Sequence, residues 1–409
     1  MRNQITYRKD NFEEWVRCIK EAELVANFDV AVIGAGPAGC ATALFLSRYG
    51  MSVVLISQEQ PRLLAGETLS PAGEFHLRRL DLQALLNSDH MRVSNIASQW
   101  DADGISYTDV SMHPLGSWWH LNRYSFDKQF QSEVDSAGVP IIRATYRSSE
   151  FDLTTGRWCL IIVGDPSIEC IKSRFVVDAS GRRASFARQQ GAKSIACDAL
   201  VGIIACISHC SELAYRGISV EAASKGWWYT SFAQQDEATI GLFTDSDLFS
   251  LKKEQLRPAF LSHLRATKLT RARMGSLLDL ASGAALRVIQ ANTRILNRVC
   301  GENWLAVGDA ALTMDPLSSQ GITQSLLAAE RAAKSIVEHL ESRSSLDSYV
   351  DFWLRETNQY LCERAMFYSR QSNLKTSFWC RRSVLRDFGK QTLFTNHLKQ
   401  DQLFHNGQI

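Results

Sequence analysis

The sequence predicts an α/β protein: a Rossmann-like dinucleotide-binding domain, an inserted mixed-sheet domain, and a helical C-terminal region. Three observations carry this. Asp29 to Ile56 reads as strand, glycine-rich turn, helix and strand, a β-α-β unit. Residues 140–178 alternate apolar and polar side chains and break at Thr155-Gly156 and Gly164-Asp165-Pro166, as a β-meander does; 226–244 reads as two strands around the polar turn Gln234 to Glu237. Helical spacing dominates from Gly321 to Leu340, and again beyond Leu346. The chain has 409 residues, 45% of them hydrophobic, with 45 Lys+Arg against 43 Asp+Glu. That length and apolar fraction suit roughly two domains with a large core, and exclude both disorder and a small disulfide scaffold. A net charge of +2 gives no global drive toward nucleic acid or an anionic membrane.

Taken in order, residues 1–27 place Phe12, Trp15, Val16 and Ile19 at i, i+3, i+4, i+7, a short amphipathic helix that docks on the body. Val30 to Leu46 is 17 residues without a charge, but it holds three Gly and a Pro and is short for a membrane span. The ten Cys show no CxxC pair and no zinc spacing. With no signal peptide at the start, the expectation is a cytoplasmic protein with free thiols and no metal. From Arg364 to Lys399 the chain carries eight Lys/Arg and one acid, with Phe367, Phe378 and Trp379 interspersed. This reads as a solvated helical cap with apolar anchors; the alternative is a basic docking surface for an acidic partner, centred on Arg381, Arg382 and Arg386.

The clearest motif is Gly34-Ala35-Gly36-Pro37-Ala38-Gly39, which follows a strand and opens a helix. In a G-x-G-x-x-G turn Gly34 permits the tight bend, Gly36 lets backbone approach a pyrophosphate, and Gly39 lets helix and strand pack closely. The helix N-terminus then offers free N–H groups and the positive end of its dipole. The ribose-binding acid that usually closes the second strand is replaced by Ser57, with Glu59 two residues on as a substitute, which predicts moderate affinity at the adenosine end.

Far downstream, Trp304 to Ala311 and Asp315-Pro316-Leu317-Ser318-Ser319-Gln320-Gly321 describe a strand ending at Gly308-Asp309, a turn, and a long helix. With Val177-Asp178-Ala179-Ser180-Gly181-Arg182-Arg183 between them, these segments resemble the FAD-dependent monooxygenase and halogenase superfamily over roughly residues 28–345. The resemblance implies an aromatic-hydroxylase-type FAD domain from 28–80, 120–195 and 290–345. It also implies a substrate domain from 81–119 and 196–289, with 346–409 as the helical basic region. It assigns Asp309 to the ribitol chain, with Gly308 leaving room, Pro316 as a wall beside the ring, and Asp178 on the cofactor. Gly321 and Ile322 start a helix whose positive end faces the flavin and favours its reduced, anionic form. Arg123 matches an arginine that leans on the cofactor, the alternative being an ion pair with Asp127. Gly66 to Pro71 matches the loop leading toward the substrate.

Flavin-dependent tryptophan halogenases place a glutamate where this chain has Ser318, and they use a lysine soon after the first β-α-β unit; no Lys occurs between Lys20 and Lys128. Their W-x-W-x-I-P motif is absent, the nearest text being Gly226-Trp227-Trp228-Tyr229-Thr230. Hydroxylation needs neither feature, because a C4a-hydroperoxyflavin hands its distal oxygen directly to an electron-rich ring. The spelling DPLSSQG with GETLSP is most similar to flavoproteins that hydroxylate a protein-borne tryptophan in cysteine tryptophylquinone biogenesis. The resulting expectation is an FAD monooxygenase that takes O2 and reducing equivalents from NAD(P)H or a separate flavin reductase. Its substrate is an aromatic ring, with a tryptophan of a quinoprotein precursor as the specific form. The alternatives are a halogenase of a small aromatic, or a flavin reductase of the geranylgeranyl-reductase type. Catalytic candidates are Glu67, Pro316, Ser319 and Gln320. Trp118-Trp119 and Trp227-Trp228 are candidates for stacking, one of each pair lining a pocket, against ordinary core packing. His76, His113 and His120 are candidate bases, against structural roles.

Overall fold

The computed structural model describes residues 25–58, 67–101, 104–165, 168–207, 217–232, 238–249, 252–275, 281 and 283–383. The proposed N-terminal helix, Glu59, Gly66, the turn Gln234 to Glu237 and Arg386 lie outside them. Residues 25–27, assigned above to the N-terminal extension, instead begin the strand Val25–Ile33.

That strand is central in an eight-stranded sheet. Trp304–Ala306, Cys170–Asp178, Val25–Ile33, Val53–Ile56 and Ile141–Ile142 run parallel in that order, with Cys300–Gly301 antiparallel at one edge. The strands Thr145–Asp152 and Arg157–Val163 fold onto Cys170–Asp178 as the meander. Val30, Ala31, Val32, Val54, Leu55, Val176, Val177 and Leu305 are fully buried, as continuous apolar runs must be when helices cover a parallel sheet. The helices Pro37–Arg48 and Gly321–Ser342 pack together beside it. Ile56, Ile33, Asp178 and Ala306 pair in register, so four strands finish along one line.

The second body is a seven-stranded sheet in the order Leu286–Gln290, Leu200–Ile207, Ala238–Asp245, Gly226–Phe232, Ile218–Ala223, Asn95–Gln99, Ser106–Asp109. One face packs Trp228 against Phe260, Leu264 and Met274 of the helices Lys253–Arg265 and Leu269–Met274. The opposite face packs Trp227 and Phe243 against Tyr368, Phe378 and Trp379. A three-stranded sheet of Glu67–Leu69, Trp118–Leu121 and Met91–Val93 links the two bodies.

The C-terminal helix Asp347–Ser369 therefore belongs to both cores, and Ser377–Ser383 to the core on this second face of the large sheet. Arg382 is 3% exposed, donates to both oxygens of Asp245 (2.7 and 3.0 Å) and lies over the Phe378 ring. Arg381 pairs with Asp245 and Asp247. The basic docking surface is thereby corrected for these two residues: their charges are matched internally, as the cap-and-anchor alternative requires. The expectation of free thiols throughout also needs correction. Cys159 and Cys170 sit on neighbouring antiparallel strands with Cα atoms 6.3 Å apart and are paired. Among the described residues no helix is long and apolar enough to cross a membrane, and no His/Cys/Asp/Glu cluster could hold a metal.

Candidate functional site

The three motifs occupy the carboxyl ends of adjacent parallel strands, where α/β sheets place their ligands. Gly34 leaves Val25–Ile33 with φ +111°, its N–H bonded to the Ile56 carbonyl; a Cβ there would lie 2.3 Å from the Ala179 oxygen. A Cβ on Gly39 would lie 1.9 Å from the Gly34 oxygen. Both glycines are thus demanded by packing. Gly36, the N-cap before Pro37, is different: a Cβ there would meet nothing within 4 Å. The helix that begins with Pro37 and Ala38 has no side-chain cap, so its first N–H groups face the space beside Gly36.

On the neighbouring strand end Gly308 (φ +58°) sits against Ala38 and Ser325, which brings the second motif onto the first. Asp309 follows, half-buried, and its carboxylate makes no hydrogen bond or ion pair with the described residues. Burial pushes its pKa up to about 6; Arg182 and Arg123 work against that rise, while Glu67 adds to it. Arg182 in turn donates to Asn292 and leaves its buried Nε without an acceptor. An open glycine cradle at an uncapped helix, an unpartnered carboxylate and an unused guanidinium N–H suit a ligand with phosphates at one end and hydroxyls further along. FAD fits these groups.

Asp178 does not join them. It is fully buried, and its oxygens accept from the Ser180 (3.0 Å) and Ala187 (2.8 Å) N–H groups. It holds its turn closed, which corrects its assignment to the cofactor. Ser57 is buried, with its hydroxyl directed to the Gln58 carbonyl.

The loop before the long helix supplies the opposite wall. Pro316 is exposed and starts a single 3₁₀ turn whose cap, Asp315, accepts from Leu317 N–H (3.0 Å). Ser319 takes φ +50°, and Gln320 reaches Glu363 (3.3 Å). Gly321 is exposed with open space at its Cβ, whereas Ile322 turns into the main core. Asp315 itself is fixed from the C-terminal helix: its carboxylate accepts from Arg364 Nε (3.2 Å) and Tyr368 Oη (2.7 Å), and its N–H donates to Tyr360 Oη (2.6 Å). Arg364 also holds Asp198 (2.7 Å), and Tyr368 accepts from Trp227 Nε1 (3.0 Å). These contacts span 45 to 166 residues, and no short motif in the sequence announces them.

Glu67 meets this wall through its neighbours, with Thr68 Oγ1 3.5 Å from Ser319 Oγ and Ser70 Oγ 2.9 Å from Thr323. Arg123 bonds Glu67 (2.5 Å) and also chelates Asp127 (2.9 and 3.2 Å), the ion pair that the alternative reading of this arginine expects. His120 is 3% exposed and bonded through Nδ1 to Ser231 Oγ (2.5 Å); burial, with His90 beside it, pushes its pKa down to about 4. His113 lies on an exposed loop, and His76 packs beside Phe75 and Arg79, so neither reaches the site. The tryptophans point to opposite faces as alternation requires, but both faces of the large sheet are core. Trp227 stacks on Phe243 and Trp228 packs tilted against Phe260, while Trp119 donates to Glu74 (2.7 Å). Pocket-lining is thereby corrected for these three, and Trp118 alone is half-buried.

A family model described as tryptophan halogenase matches residues 98–400, and one described as FAD dependent oxidoreductase matches 29–148. The putative FAD-dependent oxidoreductase LodB of Marinomonas mediterranea is 26% identical over 87% of this chain and 97% of its own. Among solved structures, the peptidyl tryptophan dihydroxylase QhpG, essential for tryptophylquinone cofactor biogenesis, aligns with TM-score 0.71 at 23% identity, covering 87% of this chain and 79% of that one. The myxobacterial chondrochloren halogenase CndH aligns with TM-score 0.78 at 20% identity, covering 92% and 91%. At these identities the two structures speak for the fold.

Proposed function

The chain belongs to the tryptophan halogenase family and is an FAD-dependent oxidoreductase, and on that premise we propose that it is a monooxygenase of an electron-rich aromatic ring, a tryptophan residue carried on another polypeptide. One observation carries the choice of oxygen over halogen. The charged groups gathered around Asp309 are Arg182, Glu67 and Arg123, with no lysine, and Ser318 stands where a halogenase has glutamate. Among the described residues, no amine joins this group to capture and steer a hypohalous acid. The protein-borne tryptophan is supported by the DPLSSQG and GETLSP spelling and by the likeness to the dihydroxylase.

In this reading the open Gly36 and the helix start at Pro37 and Ala38 hold the pyrophosphate, Gly34 and Gly39 shape the turn that presents them, and Ser57 with Glu59 borders the adenosine end. Gly308 and Asp309 take the ribityl hydroxyls, and Pro316 and Gly321 border the ring; Ile322, assigned to the cofactor from the sequence, packs into the core behind them. Bound FAD supplies the reduction of O2 and an electrophilic oxygen for the substrate. Arg123 fixes Glu67 at the mouth of the loop. Glu67 is then an orienting group, and an indole is nucleophilic enough to react without a free base. Ser319 and Gln320 set the path of the wall, Gln320 through its bond to Glu363.

The test loads purified protein with FAD, reduces it, and exposes it to O2 with excess chloride and bromide. One arm holds a candidate quinoprotein precursor and the other holds free tryptophan. Intact mass is expected to show added oxygen on the precursor and no halogen in either arm. Halogenated product, or efficient turnover of free tryptophan with the precursor untouched, overturns the reading.

A further inference from the structure

The turn Gly181–Arg183 follows the strand Cys170–Asp178 and packs against the turn Gly308–Ala310 that carries Asp309. Its two arginines differ: Arg183 is exposed, whereas Arg182 is half-buried. One terminal nitrogen of Arg182 donates to the backbone and side-chain oxygens of Asn292 (2.6 Å each), and the Asn292 carbonyl also accepts from Thr313 Oγ1 (3.0 Å). The guanidinium is thus fixed at its far end. Its Nε, nearer the backbone, is buried with no acceptor among the described residues. A charged donor left unpaired costs more than a neutral one, so a tie to Asn292 alone would be better made by a neutral amide.

The groups around the guanidinium indicate what its charge acts on. Asp309, Arg294, Asp198 and Tyr360 face Arg182. Asp198 is held by Arg364 (2.7 Å), Arg294 by Ser194 (2.9 Å), and Tyr360 by Thr293 and Asp315 (2.6 Å each). Asp309 is the facing group left without a partner, and from its own side it meets Arg182, Glu67 and Arg123. Arg123 is already matched by Glu67 and Asp127. Arg182 is therefore the unmatched positive charge, opposing burial and Glu67, which both favour a protonated Asp309. An arginine keeps its charge at any working pH. An ionised carboxylate accepts with both oxygens, whereas a protonated one turns one of them into a donor. We propose that Arg182 is a positioning residue for the cofactor: its charge holds Asp309 as the carboxylate that accepts the ribityl hydroxyls, and its free Nε–H is given to the same bound cofactor. This rests on the assignment of Asp309 to the ribityl chain and adds to it the residue that sets its charge.

The experiment titrates apo protein with FAD between about pH 5 and 9, for wild type, Arg182→Lys, Arg182→Gln and Asp309→Asn, and records the apo melting temperature of each. Wild type is expected to bind more tightly as pH rises, with a midpoint at about 6. Arg182→Lys keeps the charge and loses the Nε donor, so binding weakens about fivefold at every pH, the effect of one hydrogen bond, and the midpoint stays. Arg182→Gln loses both. Its midpoint moves up to about 7, affinity at about pH 6 falls by a further factor of about five, and near pH 9 only the first loss remains. A tie to Asn292 alone would instead lower the apo melting temperature and weaken FAD by one factor across the range. An unmoved midpoint in Arg182→Gln, or Arg182→Lys binding as tightly as wild type, overturns the proposal. If Arg182→Gln does not fold, Arg182→Lys decides: weaker binding with an unmoved midpoint supports the proposal, and any other result overturns it. Asp309→Asn separates the two failures. If it binds FAD as tightly as wild type, the ribityl assignment fails and this proposal with it; if it weakens FAD while Arg182→Gln keeps the wild-type midpoint, this proposal alone fails.

Discussion

Gly34 and Gly36 are two residues apart and should respond oppositely to an added methyl group. At Gly34 the backbone is at φ +111° and the Ala179 carbonyl blocks the Cβ, so Gly34→Ala should destabilise the apo fold by roughly 2–3 kcal/mol. At Gly36 the Cβ meets open space, so Gly36→Ala should leave the apo melting temperature unchanged and cut FAD affinity at least about tenfold. Equal melting temperatures for the two variants would refute the distinction. Asp309 makes a second residue-scale prediction, through pH. Burial first, then Glu67, raises its carboxyl from 3.8 to about 6 in the apo protein. A raised acid stabilises the fold below its unfolded pKa and loses that contribution as pH rises through the folded value. Apo stability should therefore fall between about pH 4 and 7, by on the order of 1 kcal/mol for a half-buried group. Ribityl hydroxyls donate to the ionised form, so FAD affinity should rise over that window. Asp309→Asn should flatten both curves and weaken FAD while leaving the pH 7 apo fold no less stable; calorimetry and flavin titration at pH 5 and 7 check this, and a wild-type affinity indifferent to pH would refute it. Glycines and carboxylates of this kind were legible because each works within a few residues of its own strand end. The fixing of Asp315 was not legible, because Tyr360, Arg364 and Tyr368 reach it from 45 to 53 residues downstream.

The helix Asp347–Ser369 is the element whose role sequence least suggests. Its spacing marks a helix and its composition a solvated cap, yet Tyr360, Arg364 and Tyr368 project from it onto Asp315, the residue that starts the Pro316 turn. Charge along the chain could not reveal this, because Arg364, Arg381 and Arg382 find their carboxylates at Asp315, Asp198, Asp245 and Asp247 only after folding. A run of basic residues looks unpaired for the same reason. Tyr368→Phe keeps the ring and removes both the donor to Asp315 and the acceptor for Trp227 Nε1. It should cost about 2 kcal/mol, since one lost bond ends on a charge and the indole N–H is left buried. If this helix positions the Pro316 wall, the same substitution should also shift the absorbance of bound flavin. Trp228→Phe, in the opposite core, should destabilise without moving the spectrum. A Tyr368→Phe protein that melts lower with an unchanged flavin spectrum would reduce the helix to a structural cap.

At the scale of the molecule, the cofactor site proposed above draws on segments that the chain order keeps far apart. The turn at Gly34 to Gly39, the Arg182 segment and the stretch from Gly308 to Gly321 meet only because strands Val25–Ile33, Cys170–Asp178 and Trp304–Ala306 pair side by side. The parallel sheet was readable from its apolar runs and its three ordered motifs. The way the seven-stranded sheet is clamped was not, since its second face is covered by Trp100 from far upstream together with Tyr368, Phe378 and Trp379 from far downstream, Tyr368 standing 141 positions from the Trp227 it bonds. Trp227 of the sheet, Tyr368 of the C-terminal helix and Asp315 of the Pro316 loop form one chain of hydrogen bonds between the bodies. Binding FAD should accordingly stabilise the whole chain in a single transition. At a concentration 100-fold above its dissociation constant the expected gain is about 2.7 kcal/mol. In a scanning calorimeter the apo protein should show one endotherm that FAD moves upward as a unit, and Gly36→Ala should abolish the movement without changing the apo trace. Two endotherms, of which FAD moves only one, would mean that the large sheet melts independently and that the Trp227–Tyr368–Asp315 chain does not couple it to the flavin site.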